Sequence, residues 1–128
     1  MSVTELHSYI INYVLFHKSV SLIDIEELLD SLAVEYKGSC TLVHPENSNI
    51  TLWHGWSCEI VNIIKSLIAI NCICIELTSA VTYLKHGKYI DLPIMVDEND
   101  YKEKRWLPIV LKVNKDNIPG YKSVTNEY

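Results

Sequence analysis

Two pairs of cysteine and histidine, each with four-residue spacing, stand close together in the first half of the chain. They are Cys40 with His44, and His54 with Cys58. A thiolate becomes a nucleophile when a neighbouring histidine takes its proton, and backbone N–H groups at the start of a helix stabilise it further. Cys58 stands at the start of a predicted helix, so Cys58 and His54 are the candidates for a cysteine-dependent enzyme. A hydrolase also needs an oxyanion site and a group that orients the histidine, and spacing indicates neither, so we favour a packed or capping role for Cys58.

Metal binding is the second chemistry that these residue types suggest. Structural zinc sites usually contain C-x2-C pairs, because two ligands about three residues apart converge on one ion. The chain has Cys72-Ile73-Cys74 instead, which puts both sulfur atoms on one face of a strand, and further ligands would have to come from residues 40–58. Buried free cysteines often act as small apolar residues. We therefore expect no bound metal and no other cofactor.

Patterns for other kinds of catalysis are weak. The glycines at positions 38, 55, 87 and 120 never cluster into a phosphate-binding loop. The carboxylates of Glu26 and Glu27 lie in a polar helical setting, and the acidic residues of 97–100 lie in a predicted loop, so we interpret both groups as solvated charge. These observations predict a non-catalytic protein.

The charge of the chain is unevenly distributed. Eleven basic and sixteen acidic residues give a net charge of -5. Residues 1–35 hold one lysine and six acidic residues, whereas the rest of the chain is balanced. Nucleic-acid phosphates are bound mainly by lysine and arginine, and Arg105 is the only arginine. Nucleic acid is therefore possible as a partner but disfavoured.

Length and hydrophobic pattern indicate one globular domain over residues 1–113, followed by a polar tail over 114–128. The N-terminus lacks the basic segment and apolar run of a signal peptide. The longest apolar segment, residues 60–75, is interrupted by Asn62, Lys65 and Asn71 and is shorter than the roughly 20 apolar residues that span a membrane. We therefore predict a cytoplasmic protein without membrane contact, in which all four cysteines are reduced.

Helical periodicity predicts the elements that hold the first candidate residues. Apolar residues at intervals of three and four predict a first helix from Thr4 to about Lys18. Ser21, with Asp24 three residues later, caps a second amphipathic helix. Ser57 caps a third helix, to about residue 70, whose apolar stripe predicts a central place in the core.

Two-residue alternation predicts the strands. Residues 38–54 form a β-hairpin around a Pro-Glu-Asn-Ser turn, and residues 71–78 form a single strand. Residues 88–96 and 105–113 form two further strands that a charged loop joins as a hairpin. Residues 78–87 fit either a short helix or a strand. The fold class is therefore α+β, with an N-terminal helical pair, a central helix and a small, mostly antiparallel sheet.

The order of two helices, a third helix and β-strands resembles the outline of winged helix-turn-helix domains. In that family the third helix reads DNA and a β-hairpin touches the DNA backbone, so the resemblance implies that residues 57–70 enter the groove. A whole hairpin separates the second and third helices, which departs from the family. The cations that would contact DNA are Lys65, Lys85, Lys88, Lys102, Lys104 and Arg105.

Aromatic residues are frequent late in the chain, and such residues are enriched at protein interfaces. An exposed edge strand that carries Trp106 would pair with another chain. We therefore predict a non-catalytic protein–protein interaction module of the adaptor, inhibitor or immunity type, whose partner is another protein or a second copy. Its contact residues would be Trp106, Tyr101, Tyr89, Glu26 and Glu27.

Overall fold

Helices and strands are interspersed along the chain of the computed structural model, which describes residues 1–96 and 102–114. The helices are α1 (Val3–His17), α2 (Leu22–Ser31), α3 (Cys58–Ala69) and the single turn α4 (Val81–Leu84). The strands are β1 (Val20–Ser21), β2 (Lys37–His44), β3 (Asn47–Trp56), β4 (Ile73–Leu77), β5 (Arg105–Trp106) and β6 (Ile109–Val113). These elements confirm the α+β prediction, including the N-terminal helical pair.

A serine caps the N-terminus of each of the three longer helices. Ser2 forms a capping box at the start of α1. Ser21 and Asp24 cap α2 reciprocally, with N–H to side-chain oxygen distances of 3.1 and 2.9 Å. Ser57 accepts a hydrogen bond from the N–H of Ile60 at 3.3 Å. Because the first N–H groups of a helix have no partner within it, each serine satisfies one of them. The predicted caps at Ser21 and Ser57 are confirmed.

The apolar stripes of the helices meet in one hydrophobic core. The buried residues of α1 are Leu6, Ile10 and Val14, and those of α3 are Ile60, Val61, Ile63, Ile64 and Leu67. α3 packs against both β2 and β4, which belong to different sheets, so it lies between them as a central helix. None of the described helices is long and apolar enough to cross a membrane.

The described strands form two separate three-stranded sheets. The first has the order β1-β6-β4 and is antiparallel. The second has the order β2-β3-β5, in which β2 and β3 form the predicted hairpin and β5 lies parallel to β3. The chain passes from the second sheet to the first at Leu107-Pro108, where Pro108 has no N–H to give to a ladder. The predicted strand 105–113 is therefore divided into β5 and β6.

The prediction of a strand over residues 88–96 is wrong. An isolated bridge joins Ile94 to Trp106, and it is parallel, whereas a hairpin needs antiparallel strands. The N–H of Leu92 bonds to the carbonyl of Ile90 at 2.8 Å, as in a tight turn. Pro93 lacks an N–H, which prevents a continuous ladder. The charged loop predicted to close this hairpin lies largely in residues 97–101, outside the described residues.

The ambiguous segment 78–87 contains a short helix. α4 begins at Val81, and Gly87 follows it with a φ of 70°. Tyr83 is fully buried; its hydroxyl donates to the carbonyl of Ile109 and accepts from the N–H of Leu22 at 3.2 Å. Tyr83 therefore holds α4 against both the start of α2 and β6.

Cys40 and Cys58 form a disulfide bond, with Cα atoms 5.3 Å apart. The prediction of four reduced cysteines is therefore wrong for this pair, whereas Cys72 and Cys74 form no disulfide bond. The hairpin register places Cys40 opposite Trp56, two residues before Cys58. A Cβ atom on Gly38 would lie 2.7 Å from the Cα of Ser57, so the backbones of β2 and of the segment before α3 touch. The cytoplasmic location stays a prediction.

Replacing both bonded cysteines tests this bond. The double variant Cys40→Ser, Cys58→Ser should lose about 3 kcal/mol of unfolding free energy, because the bond closes a loop with a sequence separation of 18 and so restricts the unfolded chain. Urea denaturation of oxidised protein measures the loss, and dithiothreitol should bring the wild type to the level of the variant. The exposed free thiol provides the control, since Cys74→Ser should change stability by less than about 0.5 kcal/mol. A wild type whose stability does not respond to reductant would contradict the bond.

Candidate functional site

Glu26 is a carboxylate inside the protein. It follows Leu22 by four residues and precedes Leu29 by three, so it lies on the buried stripe of α2, whereas the neighbouring Glu27 faces solvent. Only 7% of Glu26 is exposed. A buried carboxylate is costly unless donors surround it. The interpretation of Glu26 as solvated surface charge is therefore wrong.

Three side chains donate hydrogen bonds to this carboxylate. The indole Nε1 atoms of Trp53 and Trp56 lie 2.9 and 2.8 Å from its Oε2 atom. The Nζ atom of Lys88 lies 2.7 Å from its Oε1 atom. The donors come from β3 and from the segment after α4, so the carboxylate of α2 joins three parts of the fold.

Gly55 explains how two tryptophans three residues apart reach one carboxylate. Residues three apart in a regular strand point to opposite faces. Gly55 lies between Trp53 and Trp56 with a φ of 80°, a left-handed conformation that glycine adopts easily. The hairpin ladder is also irregular opposite Trp56. This interruption of the strand lets both indoles face α2.

The hydrogen bonds keep Glu26 ionised. Burial alone would raise its pKa, but the hydrogen bonds from Lys88, Trp53 and Trp56 outweigh burial and hold the pKa below its ordinary value. The same contact, opposed by partial burial, raises the pKa of Lys88. Both groups are therefore charged near neutral pH, and Glu26 has no proton to give as a general acid.

A cleft of about 390 Å³ opens beside this ion pair. Its lining includes Tyr36, Lys37, Trp53, His54, Lys88 and Tyr89, together with Glu26 itself. The volume is in the range of sites for small molecules, roughly 300 to 1,000 Å³. The cleft thus combines two lysines, a histidine and aromatic rings around one carboxylate that is already bonded.

The residues predicted to contact a partner do not form one surface. Trp106 is only 2% exposed, so its predicted place on an exposed edge strand is wrong. Tyr89 is 57% exposed and lines the cleft. Glu27 is exposed on α2, whereas Glu26 is buried. Tyr101 lies outside the described residues.

The candidates for reactive or metal-binding residues are also separated. Cys58 is bonded to Cys40, so it is not a free nucleophile in the disulfide-bonded protein. His54 is exposed and lines the cleft. Cys72 is buried and Cys74 is exposed. The part of the chain that the structure describes contains no cluster of three or more side chains suited to a metal ion.

The cations of the DNA-binding hypothesis come from three regions. Lys65 is exposed on α3 and Lys85 directly follows α4, while the other four belong to residues 88 and 102–105. Lys88 is paired with Glu26, and Arg105 lies 3.2 Å from a carboxylate oxygen of Glu103. No observation tests the resemblance to winged helices, so DNA binding stays a prediction.

The outer strands of the two sheets differ in how well they are protected against pairing with a strand of another chain. β1 has two residues, both buried, and β2 carries several register shifts. β5 is covered by the preceding segment, because the N–H of Trp106 bonds to Pro93 and the N–H of Met95 bonds back to Trp106, each at 2.9 Å. β4 pairs with β6 in a regular register over all five residues. Among the described outer strands, β4 alone is regular, longer than two residues and without hydrogen bonds from a neighbouring segment to its outer side.

The direction of the backbone groups of β4 follows from the bonds at its two ends. The N–H of Asn114 bonds to Cys72 at 2.9 Å, and the N–H of Thr78 bonds to Pro108 at 3.1 Å. Even-numbered residues of β4 therefore face β6, and the backbone groups of Ile73, Ile75 and Leu77 point outward. No described residue forms a hydrogen bond with these outward groups.

Apolar side chains continue this edge into α4. Leu77, at the end of β4, is 69% exposed, and Val81 and Leu84 are exposed at successive positions of one helical face. The sequence predicts the strand but not its outer position, because strand order depends on pairing between distant segments. The outward backbone groups of Ile75 and Leu77, together with the exposed side chains of Leu77, Val81 and Leu84, are called the β4 edge below, whereas Ile73 at the start of the strand is buried.

Glu26→Gln tests the buried carboxylate. The variant should lose about 2 kcal/mol of unfolding free energy at neutral pH, because it removes the charge that Lys88 and both indoles stabilise. Glu27→Gln is the matched control and should change stability by less than about 0.5 kcal/mol. Urea denaturation measures both.

The stability that Glu26 contributes should also depend on pH. Its folded-state pKa is lowered, so the contribution is present above the ordinary value of 4.5 and is lost as pH falls through the folded-state pKa. Wild type should therefore lose more stability than Glu26→Gln between neutral pH and about pH 3. Parallel pH profiles of the two proteins would contradict this assignment.

The chain was compared with protein-family models, curated proteins and solved structures. None of the three comparisons returned a match.

Proposed function

We propose that the protein is a non-catalytic protein–protein interaction module that receives an extended segment of a partner protein along the β4 edge. The observation that supports this proposal is the outward direction of the backbone groups of Ile75 and Leu77, with which no described residue forms a hydrogen bond. Unpaired backbone groups of this kind can bond to another strand, and proteins usually protect their outer strands against such pairing. Peptide recognition by strand addition takes its affinity from these backbone groups.

The chemistry of β4 specifies the partner segment. Ile75 and Leu77 share one face of the strand, and Glu76 lies on the other, 2.8 Å from Lys112 of β6. A strand added beside β4 places its own side chains on these same two faces. The expected partner segment therefore alternates apolar residues, next to Ile75 and Leu77, with polar residues next to the ion pair. Val81 and Leu84 offer further apolar contact at one end.

The buried ion pair is consistent with a binding protein. Glu26 is engaged by three donors and its pKa is lowered, so its carboxylate is placed to hold the fold together and not to transfer a proton. The exposed thiol of Cys74 lies on the face of Glu76, away from the apolar face of β4. Neither group is required for strand addition.

Selection from a random-peptide library displayed on phage tests the proposal on the whole protein. Selected peptides should alternate apolar and polar residues. Their binding should shift the amide resonances of Ile75 and Leu77 and slow hydrogen exchange at those two amides, because both become hydrogen-bonded. Selected peptides whose effects fall on other surfaces would overturn the proposal.

A pair of variants separates the backbone from the side chain. Leu77→Pro removes an outward N–H without removing a bond of the β4–β6 ladder, and Leu77→Ala removes only the exposed side chain. The proline variant should bind the selected peptides about tenfold more weakly than the alanine variant, since one hydrogen bond and the fit of the added strand are lost. Equal affinities would count against strand addition. Dimerisation of the wild type with the same two amides protected would identify a second copy as the partner.

A further inference from the structure

The cleft beside Glu26 has an excess of positive charge in an otherwise acidic protein. Lys37 and Lys88 both line it, against the single carboxylate of Glu26. The net charge of the whole chain is -5. Lys88 donates one hydrogen bond to Glu26, and an ammonium group carries three N–H donors. The charge exposed at the cleft therefore favours a negative ligand.

Lys88 is held in place before any ligand arrives. Its Nζ atom lies 2.7 Å from the Glu26 carboxylate, which is itself fixed by two indoles. About half of the Lys88 side chain remains exposed. A lysine that is already oriented loses less conformational freedom on binding than a fully mobile one. Glu26 thus acts as a positioning residue for a cation at the cleft wall.

The tyrosines of the remaining walls suit a flat aromatic ring. The rings of Tyr36 and Tyr89 line the cleft, with Tyr36 buried and Tyr89 largely exposed. Two lining glycines, Gly55 and Gly87, have φ values of 80° and 70°, and a Cβ atom on either would meet nothing within 4 Å. These bare backbone turns leave open space beside the lysine and the rings.

We propose that the cleft binds a small organic anion in which a carboxylate or a phosphate monoester is attached to a planar ring. The anionic oxygens bind at Lys88 and Lys37, and charge-assisted hydrogen bonds of this kind are stronger than neutral ones. The ring packs against Tyr36 and Tyr89. This site is separate from the β4 edge and shares none of its residues. The failure of one proposal would therefore not contradict the other.

Titration of the full-length protein with phenyl phosphate and with benzoate tests the site. The indole N–H resonances of Trp53 and Trp56 are the reporters, because both indoles bond to the carboxylate that holds Lys88. The anions should shift these resonances with saturation, while benzylamine and benzyl alcohol at the same concentrations should not. The dissociation constants of phenyl phosphate and benzoate show whether the phosphate or the carboxylate binds more tightly. Absence of saturable shifts with either anion, or equal binding of benzylamine, would overturn the proposal.

Surface variants supply the second arm of the test, because they leave the buried ion pair intact. Lys37→Gln should weaken binding of the tighter anion about tenfold through loss of one charge-assisted contact. Tyr89→Ala should also weaken it, by removing one wall. The matched control is Lys85→Gln, which removes an exposed lysine that does not line the cleft and should leave the affinity within about twofold. Equal weakening by Lys37→Gln and Lys85→Gln would indicate general charge attraction and overturn the site.

Discussion

The fold depends on satisfying one buried charge. The Glu26 carboxylate, once it is placed inside by α2, must be surrounded by donors, because an unpaired buried charge would cost several kcal/mol. Its partners come from β3 of the second sheet and from Lys88 after α4, whereas α2 itself begins directly after β1 of the first sheet. The carboxylate therefore fixes the position of the two sheets relative to each other. The segment after α4 and the hairpin, which this contact joins, both contribute residues to the lining of the cleft.

Tyr83 supplies a second polar link through the same interior. Burial, the largest effect, raises the pKa of Tyr83, so its hydroxyl stays neutral and can both donate and accept. It accepts from Leu22 at the start of α2 and donates to Ile109 of β6. Its ring lies 5.0 Å from that of Trp53 and 5.6 Å from that of Trp106. Aromatic packing and directed hydrogen bonds therefore determine together where α2 and α4 lie.

Much of this arrangement can be predicted from the sequence where the signal is local. The caps at Ser21 and Ser57 and the apolar stripe of α3 are properties of neighbouring residues, and all three are confirmed. Glu26 also has a local signal, because its spacing from Leu22 and Leu29 places it on the buried stripe. Composition alone does not distinguish Glu26 from Glu27. An interpretation based on composition therefore misses Glu26, the carboxylate at the centre of the site.

The remaining errors come from contacts between distant segments. The alternation over 88–96 is real, but Pro93 interrupts the ladder and the segment instead covers β5. Trp106 is buried because its ring packs near those of Trp53 and Tyr83, which are distant in the chain. The bond between Cys40 and Cys58 depends on the irregular hairpin register, which no spacing rule reveals.

The outer strands β1, β2 and β5 differ from β4 in how they are protected against pairing with a further strand. Bulges disturb β2, a neighbouring segment covers β5, and β1 is short and buried, all of which are common ways to prevent unwanted pairing. β4 has none of these features, and its one charged residue, Glu76, is paired with Lys112 of its own sheet. An outer strand that stays regular while the other described outer strands are protected supports the proposal that β4 receives a partner segment. The interior contacts of Glu26 and Tyr83 do not involve the outward backbone groups of Ile75 and Leu77, so a strand added there would leave those contacts unchanged.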